Sequence, residues 1–421
     1  MTTPTFGLTI NREANEAAPP SNALMSVIGI CMPFVKAAAA TQLAFDAAFP
    51  LNTPVRMNSN DRAKLTLCDP DGTFIDAIEG INAQLGAYQV AAQLVVVRVA
   101  EGVDAAATMA NIIGTSAAGT GIHAFLNAGA AVGVYPRLII CPGYTVAREG
   151  TAANPVCAAL PGVLNKILAH AIVDGPATEA AFTAWRETLS SDRLIAIAGG
   201  VYRPDTSGAS VLRSSAPRIA GVAVRRDYEN DGAPFRSFAN QPIYGITNTE
   251  RALGFSLTDG ATEGQQILAA QGGIIVRGES GDDFAIADGG FVYIGTDNLG
   301  AETIWQQYHK VRGRDFIELT AIRTVRQYLG RFNLTTQTIQ SVVNTISNII
   351  ERRIAAGDLL GGRCRFDPEL NNPQDLRAGH IYIDAQFEEA PVFRRATITS
   401  RPYAAALNAT IQEIISQQEI L

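Results

Sequence analysis

The sequence has no uncharged apolar run of about 18 residues or more, so no segment predicts a membrane-spanning helix. Its start, MTTPTFGLTINREANEAAPP, lacks the basic and apolar regions of a secretory signal peptide. We therefore expect a chain that neither inserts into a membrane nor is exported by the secretory route. Charge is also scarce, since 17% of the 421 residues are charged and 47% are hydrophobic. This length and composition predict two or more domains with large cores, and favour assembly into an oligomer.

Cysteine pairs with metal-binding or redox spacing are missing. The five cysteines include no C-x-x-C pair, and four of them lie in or beside apolar runs, which favours buried free thiols. Their odd number leaves one intermolecular disulfide open as an alternative. They are Cys31, Cys68, Cys141, Cys157 and Cys364.

The motifs of common catalytic and cofactor sites are missing too. There is no G-x-x-x-x-G-K-[ST] phosphate loop, and Gly119 and Gly121 are not followed by a third glycine at the dinucleotide-binding spacing. The stretch GESGD lacks the second glycine of the G-x-S-x-G nucleophile motif. We predict no cofactor, no metal ion and no catalytic residue. The histidines form no H-x-x-x-H or H-E-x-x-H pair, and they are His123, His170, His309 and His380.

Strand and helix patterns alternate from about residue 21. ALMSVIGICMPFV and AQLVVVRVA have the continuous apolar character of buried strands, and TFIDAIEGINAQLGA has the spacing of an amphipathic helix. The alternation continues through YPRLIICPG, NPVCAALPGVLNKILAHAIVDG and ATEAAFTAWRETL to DRLIAIAGGV. Strands and helices that alternate at these lengths predict an α/β domain with a mostly parallel sheet.

Acidic and basic residues crowd the segment VRRDYENDGAPFRSFAN, residues 224–240. Its acids are spaced as in the first half of an EF-hand calcium loop, but Phe238 occupies the position of the bidentate glutamate and no helices flank the segment. Calcium is therefore the less favoured alternative. We interpret the segment as a salt-bridged surface loop, in which Arg225, Arg226 and Arg236 lie among the acids.

Positive charge is concentrated between residues 305 and 365, where ten Lys or Arg face four acids, a net +6 in a chain of net −7. The helix TTQTIQSVVNTISNIIERRIAAGD lies in this region, with Arg352 and Arg353 in its last turn and Gly357 as its expected end. These arginines could simply complement the helix dipole. They could also form a contact surface for an acidic protein partner. Nucleic acid is disfavoured, because the region lacks interleaved glycines and aromatics and the chain is acidic overall.

The first twenty residues predict an extended arm. Phe6, Leu8 and Ile10 alternate with small or polar residues, which is the period of a half-buried strand, and a polar segment ending in two prolines follows. No neighbouring segment can pair with such a strand. Its partner must lie far away in the chain or in another chain.

The segment LLGGRCRFDPELNNPQDLRAGHIYIDAQFEEAPVFRRATITSRPY follows the long helix. It predicts a glycine turn, a strand around Arg363 to Phe366, a loop and two further strands. This order resembles the C-terminal domain of the tail sheath proteins of contractile phage tails and R-type pyocins. GFVYIGTDNLGAETIWQQYHKVRGRDFI and APRIAGVAVRRDYENDGAPFRSFANQPIYGI resemble other segments of that family. The resemblance is nearly continuous from residue 215 to about 403 and patchy before it.

The resemblance implies an α/β outer domain, an α+β C-terminal domain with a mixed sheet, and extended N- and C-terminal arms exchanged between subunits. The boundaries would be 1–20 for the N-terminal arm, 21–285 for the α/β domain, 286–402 for the tube-facing C-terminal domain, and 403–421 for the C-terminal arm. Phe6, Leu8 and Ile10 would lie in the exchanged strand. The C-terminal arm could equally be helical, because its isoleucines recur at helical spacing.

In function, the resemblance implies a structural subunit without catalytic residues. The subunit would polymerise helically around a tail tube and contract to drive the tube through the host envelope. Its partners would be copies of itself, the tail tube protein, and the baseplate and tail terminator proteins, in a virion assembled in the host cytoplasm. The rival interpretation is an α/β enzyme with an accessory C-terminal domain, and a third is a non-contracting structural or nucleic-acid-coating protein.

The resemblance also assigns roles to charged residues. Arg225, Arg226 and Asp227 would form ion pairs between subunits or at the domain junction. Contact with the tube would fall first on Arg352 and Arg353. The second choices for this contact are Arg323, Arg326 and Arg331.

Overall fold

Strands and helices alternate through most of the computed structural model, which describes residues 23–86 and 89–418. Within these ranges the strands are β1 (Ile28–Met32), β2 (Pro54–Asn58), β3 (Gln93–Arg98), β4 (Leu138–Ile140), β5 (His170–Gly175), β6 (Leu194–Ala198), β7 (Val201–Pro204), β8 (Ser210–Arg213), β9 (Gln241–Pro242), β10 (Asn248–Thr249), β11 (Gly272–Arg277), β12 (Phe291–Ile294), β13 (Leu359–Phe366) and β14 (Ile383–Glu389). The α-helices are α1 (Gln42–Ala48), α2 (Arg62–Leu65), α3 (Thr73–Asn82), α4 (Ala105–Ile113), α5 (Ala128–Val132), α6 (Pro155–Ile167), α7 (Glu179–Arg186), α8 (Ala216–Tyr228), α9 (Glu263–Ala269), α10 (Tyr308–Val325), α11 (Thr336–Ala355), α12 (Pro373–Arg377) and α13 (Ala404–Gln418).

A mixed sheet forms the centre of the α/β part, in the order β2-β3-β1-β4-β5-β6-β11-β12-β9. The six strands from β3 to β11 run parallel, and β2 and β12 pair antiparallel at either side of them. Successive residues of β3 face opposite sides, so that Val95 and Val97 lie in one core cluster and Leu94 and Val96 in the other. Helices α4, α6 and α7 cover the first face and α1, α3 and α8 the second. The predicted, mostly parallel α/β sheet is confirmed.

Helices α3 and α8 approach each other closely because each has a glycine at the contact. A Cβ at Gly221 would lie 2.6 Å from the carbonyl oxygen of Ile81, and a Cβ at Gly80 would lie 2.9 Å from Nε of Arg218. Arg218 is fully buried and donates to both carboxylate oxygens of Asp76 at 2.8 and 2.7 Å. This contact fixes α8 on the sheet.

Helix α10 leads from the large sheet into a third, smaller core. Phe316 and Ile317 of α10 pack there with Ile349 and Ile350 of α11 and with Leu359 of β13. Strands β13 and β14 form a two-stranded antiparallel sheet beside α11. Strand β12, which the sequence analysis assigned to the C-terminal domain, pairs instead within the large sheet through β11 and β9.

Residues 391–421 form a second compact unit. Its described part has no regular structure up to residue 403 and continues as helix α13. The prediction of a second strand after β14 is therefore wrong for this chain alone, since a strand requires a neighbour to accept and donate its backbone hydrogen bonds. The helical alternative for the C-terminal arm is confirmed for residues 404–418.

We predict opposite effects for alanine at two helical glycines. Gly221→Ala should lower the free energy of unfolding by about 1–3 kcal/mol, because its Cβ meets the backbone of α3. Gly162→Ala in α6 should raise it by about 0.5–1 kcal/mol, because a Cβ there meets nothing within 4 Å. Urea unfolding of the two variants measures both effects. Equal stability of the two variants would contradict the packing described for α3 and α8.

Candidate functional site

The charged segment 224–240 begins as a buried helix. Residues 224–228 form the last turn of α8, and a turn with Asp231 and Gly232 at positive φ follows. The prediction of a surface loop is therefore wrong for these five residues, and Arg225 and Asp227 are both buried. The sequence did not indicate this helix end, because a run of charges usually indicates solvent exposure. Here Arg225 and Asp227 find their hydrogen-bonding partners inside the protein.

Asp227 pairs with Arg312, a residue of α10 that the sequence analysis did not name. The guanidinium of Arg312 donates to both carboxylate oxygens at 3.1 and 2.6 Å, and each side chain is 1% exposed. Ser26 donates to the same carboxylate at 3.2 Å. Burial raises the pKa of Asp227, and the charge of Arg312 opposes that rise. The pair connects α8 to α10, at the junction between the large sheet and the small core.

The expected pairing of Asp227 with Arg225 or Arg226 is thus replaced by one with a distant residue. Arg225 donates to the carbonyl oxygen of Gln84 at 3.0 Å, and Arg226 donates to Glu229. Two acids of the calcium-like spacing, Asp227 and Glu229, thus each form an ion pair with an arginine. Among residues 23–86 and 89–418, no cluster of three or more His, Cys, Asp or Glu side chains could hold a metal ion.

A second buried ion pair joins α10 to the large sheet. Its acid, Asp315, lies three residues after Arg312 in α10. Arg193, just before β6, donates to Asp315 at 2.6 and 3.1 Å. His170, at the start of β5, is fully buried with Nδ1 3.8 Å from Asp315. Burial lowers the pKa of His170 well below its ordinary value, and the charges of Arg193 and Arg312 lower it further. The imidazole is therefore neutral between the two ion pairs.

The described residues that border the two chain extensions, Ala23 and Ala390, both hydrogen-bond to α10. The backbone N–H of Ala23, where the described chain begins, donates to Oγ1 of Thr320 at 3.2 Å. At the other end of α10, Nε2 of His309 donates to the carbonyl oxygen of Ala390 at 3.0 Å. The predicted strand-exchange residues Phe6, Leu8 and Ile10 lie outside the described residues.

The positive region divides into internal and exposed arginines. Arg312 is buried, Arg314 contacts Glu389 and the rings of Trp305 and Phe387, and Arg353 pairs with Asp358 at 3.1 Å. Arg323 is half-buried, and burial lowers its pKa. The exposed candidates for tube contact are Arg326, Arg331 and Arg352.

Apolar side chains accompany Arg326 and Arg331 from the last turn of α10 into its connection to α11. Ile322, Leu329 and Phe332 are exposed in this stretch, and Leu329 is 73% exposed. We name residues 322–332 the basic tip. An exposed surface that combines apolar and basic side chains is typical of a protein contact.

A cavity of about 260 Å³ lies at the carboxyl ends of β4, β5 and β6, where enzymes of α/β fold bind ligands. Asp174 lines it, and burial raises the pKa of this carboxyl to about 6. Its oxygens accept from Ser214 and from the backbone N–H groups of Ser215 and Ala216 at 3.0 and 2.9 Å. Asp174 therefore caps the start of α8, and no histidine lines the cavity.

Four of the five cysteines are buried and all five are free thiols, while Cys364 is half-buried. This arrangement agrees with the prediction made from the sequence. No helix in the described part of the chain is both long and apolar enough to cross a bilayer.

The sequence is similar to curated tail sheath proteins. It is 28% identical over 375 residues to a prophage major tail sheath protein of Pseudomonas aeruginosa (strain UCBPP-PA14), a match that covers 87% of this chain and 88% of that protein. It is 24% identical over 365 residues to the tail sheath protein of Escherichia phage P2, covering 84% and 86%. No family model matches the chain. The resemblance to contractile tail sheath proteins is confirmed.

Solved structures with the same fold include two contracted sheaths. The helical sheath of the anti-feeding prophage in its contracted state matches with a TM-score of 0.66 and 16% identity, covering 95% of this chain and 99% of that one. The PVC sheath complex of an extracellular contractile injection system, also contracted, matches with a TM-score of 0.64 and 13% identity at 95% and 99% coverage. At such identities these matches show the fold alone.

We predict that breaking the Asp227–Arg312 pair is far more damaging than removing it. Arg312→Met should lower the free energy of unfolding by about 3–5 kcal/mol, because it leaves a buried carboxylate without a counter-charge. Combining it with Asp227→Leu should restore most of the loss. Arg251→Met, at an exposed ion pair with Glu263, is the control and should cost less than about 1 kcal/mol. An Arg312→Met variant as stable as this control would refute the structural role of the pair.

We also predict acid sensitivity from His309. Burial lowers the pKa of His309 to about 4, against about 6.5 in an unfolded chain. The folded state takes up this proton less readily, so stability is lost as the pH falls from about 6.5 towards 4. Urea unfolding at pH 7 and pH 4.5 should show that His309→Gln loses about 2–3 kcal/mol less than the unaltered chain over this interval. Identical losses would show that His309 does not carry this dependence.

Proposed function

We propose that this homologue of tail sheath proteins is a structural subunit of a contractile tail sheath, which polymerises helically around a tail tube and contracts to drive the tube through a host envelope. The observation that carries the proposal is similarity along nearly the whole chain. Tail sheath proteins match it over 84–87% of its length, and contracted sheaths share its fold over 95%. Subunits joined head to tail by heterologous contacts form an open helix when the rotation does not close a ring.

The two-stranded sheet β13–β14 supports the exchange of arms between subunits. A sheet of two strands is marginal in water, and an extended segment from another chain can complete it. Residues 391–403 fit this role, because they have no regular structure and expose Phe393 and Ile398. Residues 1–20, with Phe6, Leu8 and Ile10, would donate a second strand. The N-terminal arm at 1–20, and residues 391–403 together with the C-terminal arm at 403–421, would join neighbouring subunits.

In this proposal the α/β domain, residues 21–285 together with β12, faces outwards, and the part from α10 to β14 faces the tube. The exposed arginines Arg326, Arg331 and Arg352 make the contact, with Arg323 and Arg353 beside them. A largely electrostatic contact with an acidic tube suits a surface that must release when the sheath contracts. Arg353 contributes less than its neighbour because Asp358 already holds its charge.

The partners of the assembled sheath would be the tail tube protein, the baseplate and the tail terminator. The subunit would act in the virion tail after assembly in the host cytoplasm. No catalytic role is included, because its relatives are structural proteins and Asp174 is engaged as a helix cap.

We predict that the purified chain forms hollow helical tubes in negative-stain electron microscopy. Removing residues 391–421 should abolish the tubes without unfolding the remainder, because residues 1–390 form a compact unit of their own. Circular dichroism and urea unfolding provide the folding control. Deleting residues 1–15 should likewise prevent polymerisation. Monodisperse particles of the full chain at every concentration and salt level would contradict the proposal and favour the α/β enzyme.

We predict that three charge reversals separate tube contact from polymerisation. Arg326→Glu, Arg331→Glu and Arg352→Glu together should lower co-sedimentation with the tube protein of the same tail by about tenfold or more. The variant should still form sheath polymer. Arg62→Glu, at an exposed position on the short helix α2, is the matched control and should change neither property. Undiminished co-sedimentation of the triple variant would place the tube contact elsewhere.

A further inference from the structure

The solvent face of the β13–β14 sheet has an opening at Gly361. A Cβ added to Gly361 would meet nothing within 4 Å, whereas a Cβ at Gly362 would meet Ile350 at 2.7 Å and Phe387 at 2.8 Å. The position of a side chain at Gly362 is therefore directed towards the small core, and that at Gly361 away from it. A shallow groove above Gly361, wide open to solvent, has a volume of about 460 Å³.

The walls of this groove suit an aromatic ring. Gly361 lies opposite Glu388, and Arg363 lies opposite Gln386. The guanidinium of Arg363 is held by Oε1 of Gln386, to which it donates at 3.0 and 2.8 Å. A fixed guanidinium beside a glycine offers a flat cationic surface and room for close approach, and both favour an aromatic ring.

An exposed aromatic side chain occurs in the segment whose charge complements this sheet. Residues 391–403 carry three arginines and no acid, a net +3, while residues 359–390 carry six acids and three arginines, a net −3. Phe393 is 84% exposed and is followed by Arg394 and Arg395 in the chain. Glu388, at the edge of the groove, is exposed and already pairs with Lys310 at 3.5 Å, so an arginine of the donated segment would share this carboxylate with Lys310.

We propose that the groove above Gly361 receives the ring of Phe393 from a second copy of this chain. The seated ring sets the register of the donated segment, because shifting a strand by one residue would turn Phe393 to the opposite face. Arg363 contacts the face of the ring, and the arginines that follow Phe393 lie against the acids of the sheet. This inference rests on the proposed sheath function and adds the residues that determine which part of the extension is bound.

Cysteine cross-linking of the full-length polymer tests the contact directly. Gly361→Cys and Phe393→Cys are combined in a Cys364→Ser background, which removes the half-buried thiol near the groove. After mild oxidation, a non-reducing gel should show a ladder of covalent multimers for the double variant and none for either single variant. A fast-migrating monomer without a ladder would mean that Phe393 reaches the groove of its own chain, which overturns the proposal.

A second measurement decides the question if the cysteine variant does not assemble. Phe393→Ala and Gly361→Leu should each raise the protein concentration required for tube formation by about tenfold, because one removes the ring and the other fills the groove. The matched controls, Leu43→Ala and Gly254→Leu, alter an exposed apolar residue and an open glycine on the α/β part and should leave this concentration unchanged.

The possible results separate this inference from the function on which it rests. If the unaltered chain forms no tubes, the sheath function fails and the inference fails with it. If tubes form but Phe393→Ala and Gly361→Leu behave like their controls, the groove is not the docking site, while the sheath function stands. A Tyr403→Ala variant that raises the concentration when Phe393→Ala does not would identify a different occupant and would also overturn the proposal.

Discussion

The buried charges of α10 are the constraint on which the rest of the structure depends. Arg312 and Asp315 enter the interior from one helix and meet Asp227 and Arg193, each through two hydrogen bonds. A buried charge without its partner is costly, so α10 can hold only one position against the sheet. Ala23 and Ala390, which border the two chain extensions, hydrogen-bond to this helix at Thr320 and at His309. A force applied to either extension therefore acts on an element fixed to the α/β part, which suits a subunit that must move as one body in a contracting polymer.

The ion pairs also explain why the positive region is not a single surface. Arginines facing the core are neutralised by acids distant in sequence, such as Asp227, and contribute to stability. Arg326 and Arg331 on the basic tip and Arg352 at the end of α11 remain exposed. Only the exposed group can attract an acidic partner at long range, and its attraction falls with salt. When part of the charge of a segment is buried, its net charge therefore overstates the charge that it presents to a partner.

The sequence analysis was strongest where a local pattern decides the structure. The buried strands β1, β3, β5 and β6 and the long helix α11 follow directly from apolar spacing. It failed where a partner distant in the sequence determines the structure. At the end of α8 the charges indicate a surface loop, but Arg312, 85 residues away, neutralises Asp227 in the interior. The strand predicted after β14 was not found, because a strand requires a neighbour for its backbone hydrogen bonds and none pairs with residues 391–403 in the described part of the chain. No local signal marks Gly361 as open to solvent and Gly362 as facing the core, since the two differ only in the side of the strand on which they lie.

The most direct test of the account is a helical reconstruction of the polymer by cryo-electron microscopy. The account predicts that the Asp227–Arg312 and Arg193–Asp315 pairs are retained in every subunit and that at least one strand from a neighbouring copy extends the β13–β14 sheet. A polymer in which that sheet keeps two strands, or in which α10 has separated from the α/β part, would contradict it.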